Sequence, residues 1–152
     1  MHCNVRQPQF THCGEHLAVI LPGGMPGTKT RLAHEPLVSM LKVFGGCGGE
    51  IAAICAAPMI LGNIGLLSGK RATCYPGFED TMQGACYTAE KVTRDGNVFT
   101  ACGPAAAWAL GFAFVEHFCG AGIGHMLAKE LGLSQEAIDK TMVLAAFATI
   151  QD

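Results

Sequence analysis

The sequence predicts a single α/β domain, layered around a mostly parallel sheet. Three observations carry that expectation. Short apolar runs alternate with stretches of helical spacing, in the order strand, helix, strand, helix, strand. The first strand candidates, Leu17-Ala18-Val19-Ile20-Leu21 and Ile51-Ala52-Ala53-Ile54, are apolar throughout rather than alternating, the pattern of strands covered on both faces. Half of the 152 residues are hydrophobic, enough for a real core in one domain.

Composition narrows the function classes. Only 14% of residues are charged and the net charge is −2. Lys and Arg are scattered, with Lys70-Arg71 the one adjacent pair, so no basic footprint for nucleic acid or an anionic membrane exists. Two uncharged windows, Ile51–Gly69 and Asn97–Val115, reach membrane-spanning length, but each contains Pro and Gly and divides into a strand followed by a helix. Met1-His2-Cys3-Asn4-Val5-Arg6 lacks the apolar core of a signal peptide. The eight cysteines, at 3, 13, 47, 55, 74, 86, 102 and 119, form no Cys-x-x-Cys pair and have no His at finger spacing. The expectation is a reducing, cytoplasmic protein with free thiols and no metal.

Taken in order, residues 1–16 are polar and irregular and read as a lead-in to a domain over 17–152. His2, His12, His16, Cys3 and Cys13 fall at no ligand spacing. Leu17–Leu21 is a buried strand, followed by the turn-rich Pro22-Gly23-Gly24-Met25-Pro26-Gly27. Leu32, Leu37, Met40, Leu41 and Phe44 recur at helical spacing, with Pro36 starting the main helix and Gly45-Gly46-Cys47-Gly48-Gly49 breaking it. Ile51–Ile54 is the second strand, and a short helix then runs to Ile64. Lys70–Tyr75 reads as a third strand and Glu79-Asp80-Thr81 as a helical turn. Tyr87–Thr93 and Val98–Cys102 pair as a hairpin about Arg94-Asp95-Gly96-Asn97, with Asp-Gly as its signal. Gly103-Pro104 opens an apolar helix to about Phe118, and Gly120-Ala121-Gly122 ends it. His125–Leu131 is helical, and Ser134 caps a last helix to about Phe147.

The chemistry concentrates at Ala52-Ala53-Ile54-Cys55-Ala56-Ala57-Pro58. A buried strand ends in a cysteine and two small residues, and Pro58 suits the first turn of a helix because its missing N–H costs nothing there. Cys55 therefore stands at a sharp strand-to-helix turn, with backbone N–H groups that favour the thiolate, in the manner of a nucleophile elbow. A small hydrophobe in a core strand is the alternative reading of the same cysteine. Reactive groups in parallel sheets gather at the carboxyl ends of the strands, which places Gly23-Gly24, Cys55, Tyr75 and Cys102-Gly103 along one rim.

Leu21-Pro22-Gly23-Gly24-Met25-Pro26-Gly27 and Ala52–Pro58, with Gly69-Lys70, Ala72-Thr73-Cys74-Tyr75-Pro76-Gly77-Phe78 and Thr100-Ala101-Cys102-Gly103-Pro104, together resemble the ThiJ/PfpI (DJ-one) superfamily. The resemblance runs from about residue 17 to 120. It implies a flavodoxin-like three-layer sandwich, usually a homodimer. It also implies a cofactor-independent, cysteine-dependent glyoxalase or deglycase activity on a reactive carbonyl such as methylglyoxal, or on its adducts. Cys55 is then the nucleophile, the N–H groups of Gly24 and Ala56 the oxyanion-binding pair, and Tyr75 the residue standing where many members carry His. A redox-responsive binding or chaperone protein in which Cys55 is oxidised is the alternative, and an inactive fragment the third.

Two departures follow. A neutral Tyr donates a hydrogen bond but is a poor base near pH 7, its ordinary pKa being about 10. The family also places a glutamate against the cysteine, near the end of a first strand. Only sixteen residues precede Leu17 here, whereas a strand-helix-strand unit takes about thirty. The chain thus reads as N-terminally truncated relative to the family, with an activity exposed to impairment. Glu15 precedes the strand at its wrong end and is rejected as a substitute. Cys102 either lines the pocket or packs in the core. Trp108, Phe112 and Phe114 are core or dimer surface, His117 and His125 surface or capping residues, and Glu79 and Asp80 a solvated loop near the pocket mouth.

Overall fold

The computed structural model of the protein describes residues 18–138. Strands β1 (Ala18–Leu21), β2 (Glu50–Ile54), β6 (Val98–Ala101) and β5 (Val92–Asp95) form the main sheet in that spatial order. β1, β2 and β6 run parallel, and β5 lies antiparallel at the edge. The architecture is α/β with a mostly parallel sheet between helical layers. α1 (Gly27–Leu32), α2 (Glu35–Gly46) and α3 (Pro58–Asn63) follow the first strands, and α4 (Ala107–Cys119) and α5 (Ile123–Glu130) follow the last.

The sequence pattern explains the layering. On one face Ile51, Ala53 and Val98 pack with Leu41 and Phe44 of α2 and Ile60 and Leu61 of α3. On the other, Ala52, Phe99 and Ala101 pack with Ala109, Leu110 and Ala113 of α4. Alternate residues of one apolar run therefore serve two cores, which is why β2 shows no polar alternation. Phe99, fully buried, stacks on Phe114 with ring centroids 4.5 Å apart.

The helix boundaries follow their caps. His34 Nδ1 accepts the Leu37 N–H at 3.2 Å, so α2 begins at Glu35 with Pro36 in its first turn. The Gly-rich break comes later than expected, because α2 runs through Gly45 and Gly46 and stops at Cys47. The reason is packing: a Cβ on Gly45 would stand 3.0 Å from Ile51 and 3.2 Å from Leu66, so Gly lets the helix lie close on the sheet. Gly48, at φ 82°, supplies the reversal instead.

The third strand and the hairpin also differ from expectation. Only Arg71–Ala72 (β3) is extended in a ladder, and it pairs in parallel with Cys86–Tyr87 (β4) in a separate two-stranded sheet. Beyond Ala72 the chain leaves that ladder because the Thr73 N–H turns to the buried Thr100 Oγ1 at 2.9 Å, a side-chain partner invisible to a propensity reading. The hairpin arm begins at Val92 rather than Tyr87, and Gly96-Asn97 forms its turn with Gly96 at φ 59°.

Pro104–Ala106 is a 3₁₀ turn leading into α4. The Ser134 hydroxyl accepts the Ala137 N–H at 3.2 Å where residues 135–138 are helical; the remainder of the expected last helix lies outside the described residues. No helix among the described residues is long and apolar enough to cross a membrane.

His117 is not a surface residue. Its Nε2 lies 2.8 Å from Glu50 Oε1, joining α4 to the start of β2, with the ring against Phe99 and Phe118. At the same end, the Asn97 amide donates to Gly45 O (3.1 Å) and Gly49 O (2.8 Å), clipping α2 to the hairpin. Asn97→Ala removes a donor from both carbonyls, Gly45 O keeping the Gly48 N–H at 3.1 Å. It is expected to lower unfolding stability by about 1–3 kcal/mol, read as a lower urea midpoint at unchanged m-value.

Candidate functional site

The site is built where β2 ends. Cys55 follows Ile54 directly and adopts φ 64°, a left-handed conformation that costs an ordinary residue about 1–2 kcal/mol. Main-chain bonds hold it there. Its N–H donates to Ala101 O at 2.8 Å, its carbonyl accepts from the Tyr75 N–H at 2.9 Å, and the Ala57 N–H returns to Ile54 O at 3.1 Å. Ala56 and Ala57 are buried while Cys55 is half-buried, so the turn is packed and the thiol is reached from one side.

The loop after β1 closes on this turn. A Cβ on Gly23 would stand 2.6 Å from Cys55 Cβ, 2.7 Å from Ile54 O and 3.1 Å from Ala56 N, so only glycine permits the approach. Gly24 follows at φ 90° and its carbonyl accepts both the N–H and the hydroxyl of Thr28, each at 2.9 Å. Arg31 donates to Pro22 O, to Gly23 O at 3.1 Å and to Thr28 Oγ1 at 3.3 Å. In a trans peptide the C=O and N–H point oppositely. With the Gly23 carbonyl turned to Arg31, the Gly24 N–H points from the opposite edge of that peptide, away from the guanidinium. Among the described residues, neither the Gly24 nor the Ala56 N–H meets an acceptor.

The rim is completed by the segment after β3 and the end of β6. Tyr75 is 45% exposed, and its ring lies 3.2 Å from where a Cβ on Gly103 would be and edge-on to Phe78. Burial pushes the Cys74 thiol up to about 11; the Glu79 carboxylate adds to the shift, and the Cys102 and Cys55 sulfurs are near enough to contribute. Glu79 itself accepts the Gly77 N–H at 2.8 Å and is held in a tight turn rather than a free loop. Cys102 is half-buried, with its N–H on Lys91 O at 2.9 Å. Among the described residues, no group of three or more His, Cys, Asp or Glu is arranged to hold a metal ion.

Of the residues singled out in the sequence, Cys55, Ala56 and Tyr75 meet at the elbow, and Gly24 adjoins the glycine packed on it. His117 lies at the opposite end of β2, and Glu15 lies outside the described residues. Arg31 and Thr28 were not anticipated. Their only trace in the sequence is a polar first turn directly after the Gly-Gly loop.

Comparison with known proteins bears on the family and the fold. The DJ-1/PfpI family model matches residues 10–117. Protein DJ-1alpha of Drosophila melanogaster is 33% identical over 120 residues, covering 78% of this chain and 55% of that protein. A protein named as a deglycase in Pyrococcus horikoshii is 36% identical over 101 residues, 65% of this chain and 60% of that protein. The chain thus spans a little over half the length of these two relatives. The crystal structure of Drosophila melanogaster DJ-1beta superposes with a TM-score of 0.71 at 31% identity, over 80% of this chain and 66% of that one. Oxidized Toxoplasma gondii DJ-1 superposes with a TM-score of 0.73 at 30% identity, over the same shares. With the family model matching residues 10–117, a range that takes in the Gly-Gly loop, the cysteine elbow and Cys102, the chain belongs to the DJ-1/PfpI family.

Proposed function

We propose that this chain carries a cysteine-dependent glyoxalase or deglycase-like activity on small reactive carbonyls such as methylglyoxal. The observation that carries the reading is Cys55 itself, a half-buried cysteine held at φ 64° between a parallel strand and a helix. The relatives named as deglycases support the same class.

In this reading the Cys55 thiolate attacks the aldehyde carbon, forming a C–S bond and moving the carbonyl electron pair onto oxygen. The Gly24 and Ala56 N–H groups receive that oxyanion, the position at which fixed donors contribute most. A proton then passes, carried by water, from the former aldehyde carbon to its neighbour through an enediol, giving a lactoyl thioester. Water breaks the C–S bond, releasing lactate and returning the thiolate. The net change is addition of one water to methylglyoxal, with no oxidant or cofactor consumed. Tyr75 acts as a hydrogen-bond donor at the rim rather than as a base.

Conversion of methylglyoxal to lactate, followed by enzymatic lactate assay, is expected in the wild-type protein and absent in Cys55→Ser. Turnover that survives in Cys55→Ser would sink the reading.

Arg31 acts at one remove, by fixing the Gly23–Gly24 peptide. Arg31→Ala is expected to lower kcat by about tenfold, less than the 10²–10³ lost when a donor is deleted outright, with partial recovery in Arg31→Lys. Equal activity in all three proteins would remove Arg31 from the account. Gly23→Ala is expected to be harsher. The added methyl overlaps the elbow backbone, and a misplacement of about 1 Å costs about 10² in rate. Both turnover and the alkylation rate of Cys55 should fall. Gly46→Ala, whose methyl meets nothing within 4 Å, is the control.

A further inference from the structure

We propose that Cys102 is a resolving thiol for Cys55. Oxidation by a hydroperoxide then closes an intramolecular disulfide at the elbow instead of advancing Cys55 to the sulfinate. The inference rests on the reading above in one respect, that Cys55 is the reactive thiol; it does not depend on the carbonyl substrate.

The strand register places the two cysteines. Ile54 of β2 and Ala101 of β6 are aligned in a parallel ladder, and the Cys55 N–H continues that ladder with its 2.8 Å bond to Ala101 O. Cys55 and Cys102 are the next residues on the two strands, so their backbones leave the sheet as neighbours, with Cys102 packed beside Ile54 against the α4 core. Neighbouring strands lie about 4.8 Å apart, inside the Cα separation of about 4.4–6.8 Å that a disulfide spans. Tyr75 links the two positions, with its N–H on the Cys55 carbonyl and its ring against Gly103. Both cysteines are half-buried, so a small peroxide reaches the site while a second protein thiol is hindered.

Among the described residues, Cys74 is the competing partner and is the poorer one. It is fully buried, and its thiol stands at about 11. Burial thus holds it protonated near neutral pH, and the thiolate is the attacking species in disulfide formation. Cys47, Cys86 and Cys119 are exposed and lie on other elements, at the end of α2, in β4 and at the end of α4.

The chemistry balances with the hydroperoxide as the only oxidant. The Cys55 thiolate attacks the terminal peroxide oxygen, the O–O bond breaks, and the departing oxygen leaves as alcohol or water after protonation, giving the sulfenic acid. The Cys102 sulfur then attacks the Cys55 sulfur, the S–S bond forms and the S–O bond breaks. The hydroxide leaves as water with the Cys102 proton. Two thiols lose two electrons and the peroxide gains them. The product is reversible by a thiol reductant, whereas a sulfinate is not.

The test treats the full chain with increasing hydrogen peroxide, blocks remaining thiols by alkylation, and maps non-reduced peptides by tandem mass spectrometry to localise any bond. The expected result is a Cys55–Cys102 linkage lacking two hydrogens, reversed by dithiothreitol. Cys102→Ser and Cys102→Ala, each checked for a native circular dichroism spectrum, should instead accumulate Cys55 carrying two added oxygens that dithiothreitol does not remove. Sulfinate on Cys55 at the same peroxide dose in wild type and both variants, or a bond from Cys55 to Cys74, overturns the proposal. Cys55 that neither alkylates nor oxidises in the wild-type protein overturns the reactive-thiol reading as well, and so separates the two failures.

Discussion

The contact on which the rest of the site depends is the approach of Gly23 to Cys55. With a Cβ position only 2.6 Å from Cys55 Cβ and 2.7 Å from Ile54 O, the loop after β1 and the end of β2 are pressed together more closely than any side chain allows. That approach fixes two things at once. It sets Gly23 against the Ala56 N–H, and it leaves the elbow no room to relax out of its left-handed turn. The strain of about 1–2 kcal/mol at Cys55 persists because neighbouring main-chain bonds, donated to Ala101 O and accepted from the Tyr75 N–H, over-determine the conformation.

Much of this was legible before any coordinates. The apolar run of β2, the terminating cysteine and Pro58 specify a buried strand and a helix start from local chemistry alone, and both stand where the residues place them. What could not be read was set by partners distant in sequence. Lys70–Tyr75 has the composition of a strand, but Thr73 is captured by Thr100, twenty-seven residues on, and the ladder ends at Ala72. Gly45 and Gly46 have the composition of a breaker, but the helix continues through them to meet Ile51 and Leu66. His117 looked like a surface residue because its partner, Glu50, lies sixty-seven residues earlier. Arg31 escaped notice because it binds carbonyls, and a carbonyl has no sequence signature.

The relation of Tyr75 to the elbow shows how a side sheet can serve the main one. β3 shares no ladder with β2, and the rule that reactive groups gather at the strand ends of one sheet would not bring it there. The connection is made by a single main-chain bond, Tyr75 N–H to Cys55 O, and by the ring resting on Gly103. Tyr75 thereby touches the residues after both β2 and β6, the two cysteine-bearing strand ends.

The two ends of β2 divide the work of the strand. At its amino end stand the polar anchors, Glu50 with His117 and the Asn97 amide with Gly45 and Gly49, all far from Cys55 along the strand. At its carboxyl end the partners are sulfurs, a phenol and backbone N–H groups, and the nearby carboxylate of Glu79 is turned onto the Gly77 N–H. In the proposed reaction a negative charge created at the elbow is received by the Gly24 and Ala56 N–H groups, with the Arg31 guanidinium on the Gly23 carbonyl behind them. Such donors are fixed by the fold and need no reorganisation when charge appears. The geometry that positions them, Arg31 on the carbonyl edge of the Gly23–Gly24 peptide and the glycine contact beside it, is thus the part of the structure on which the proposed reactivity at Cys55 turns.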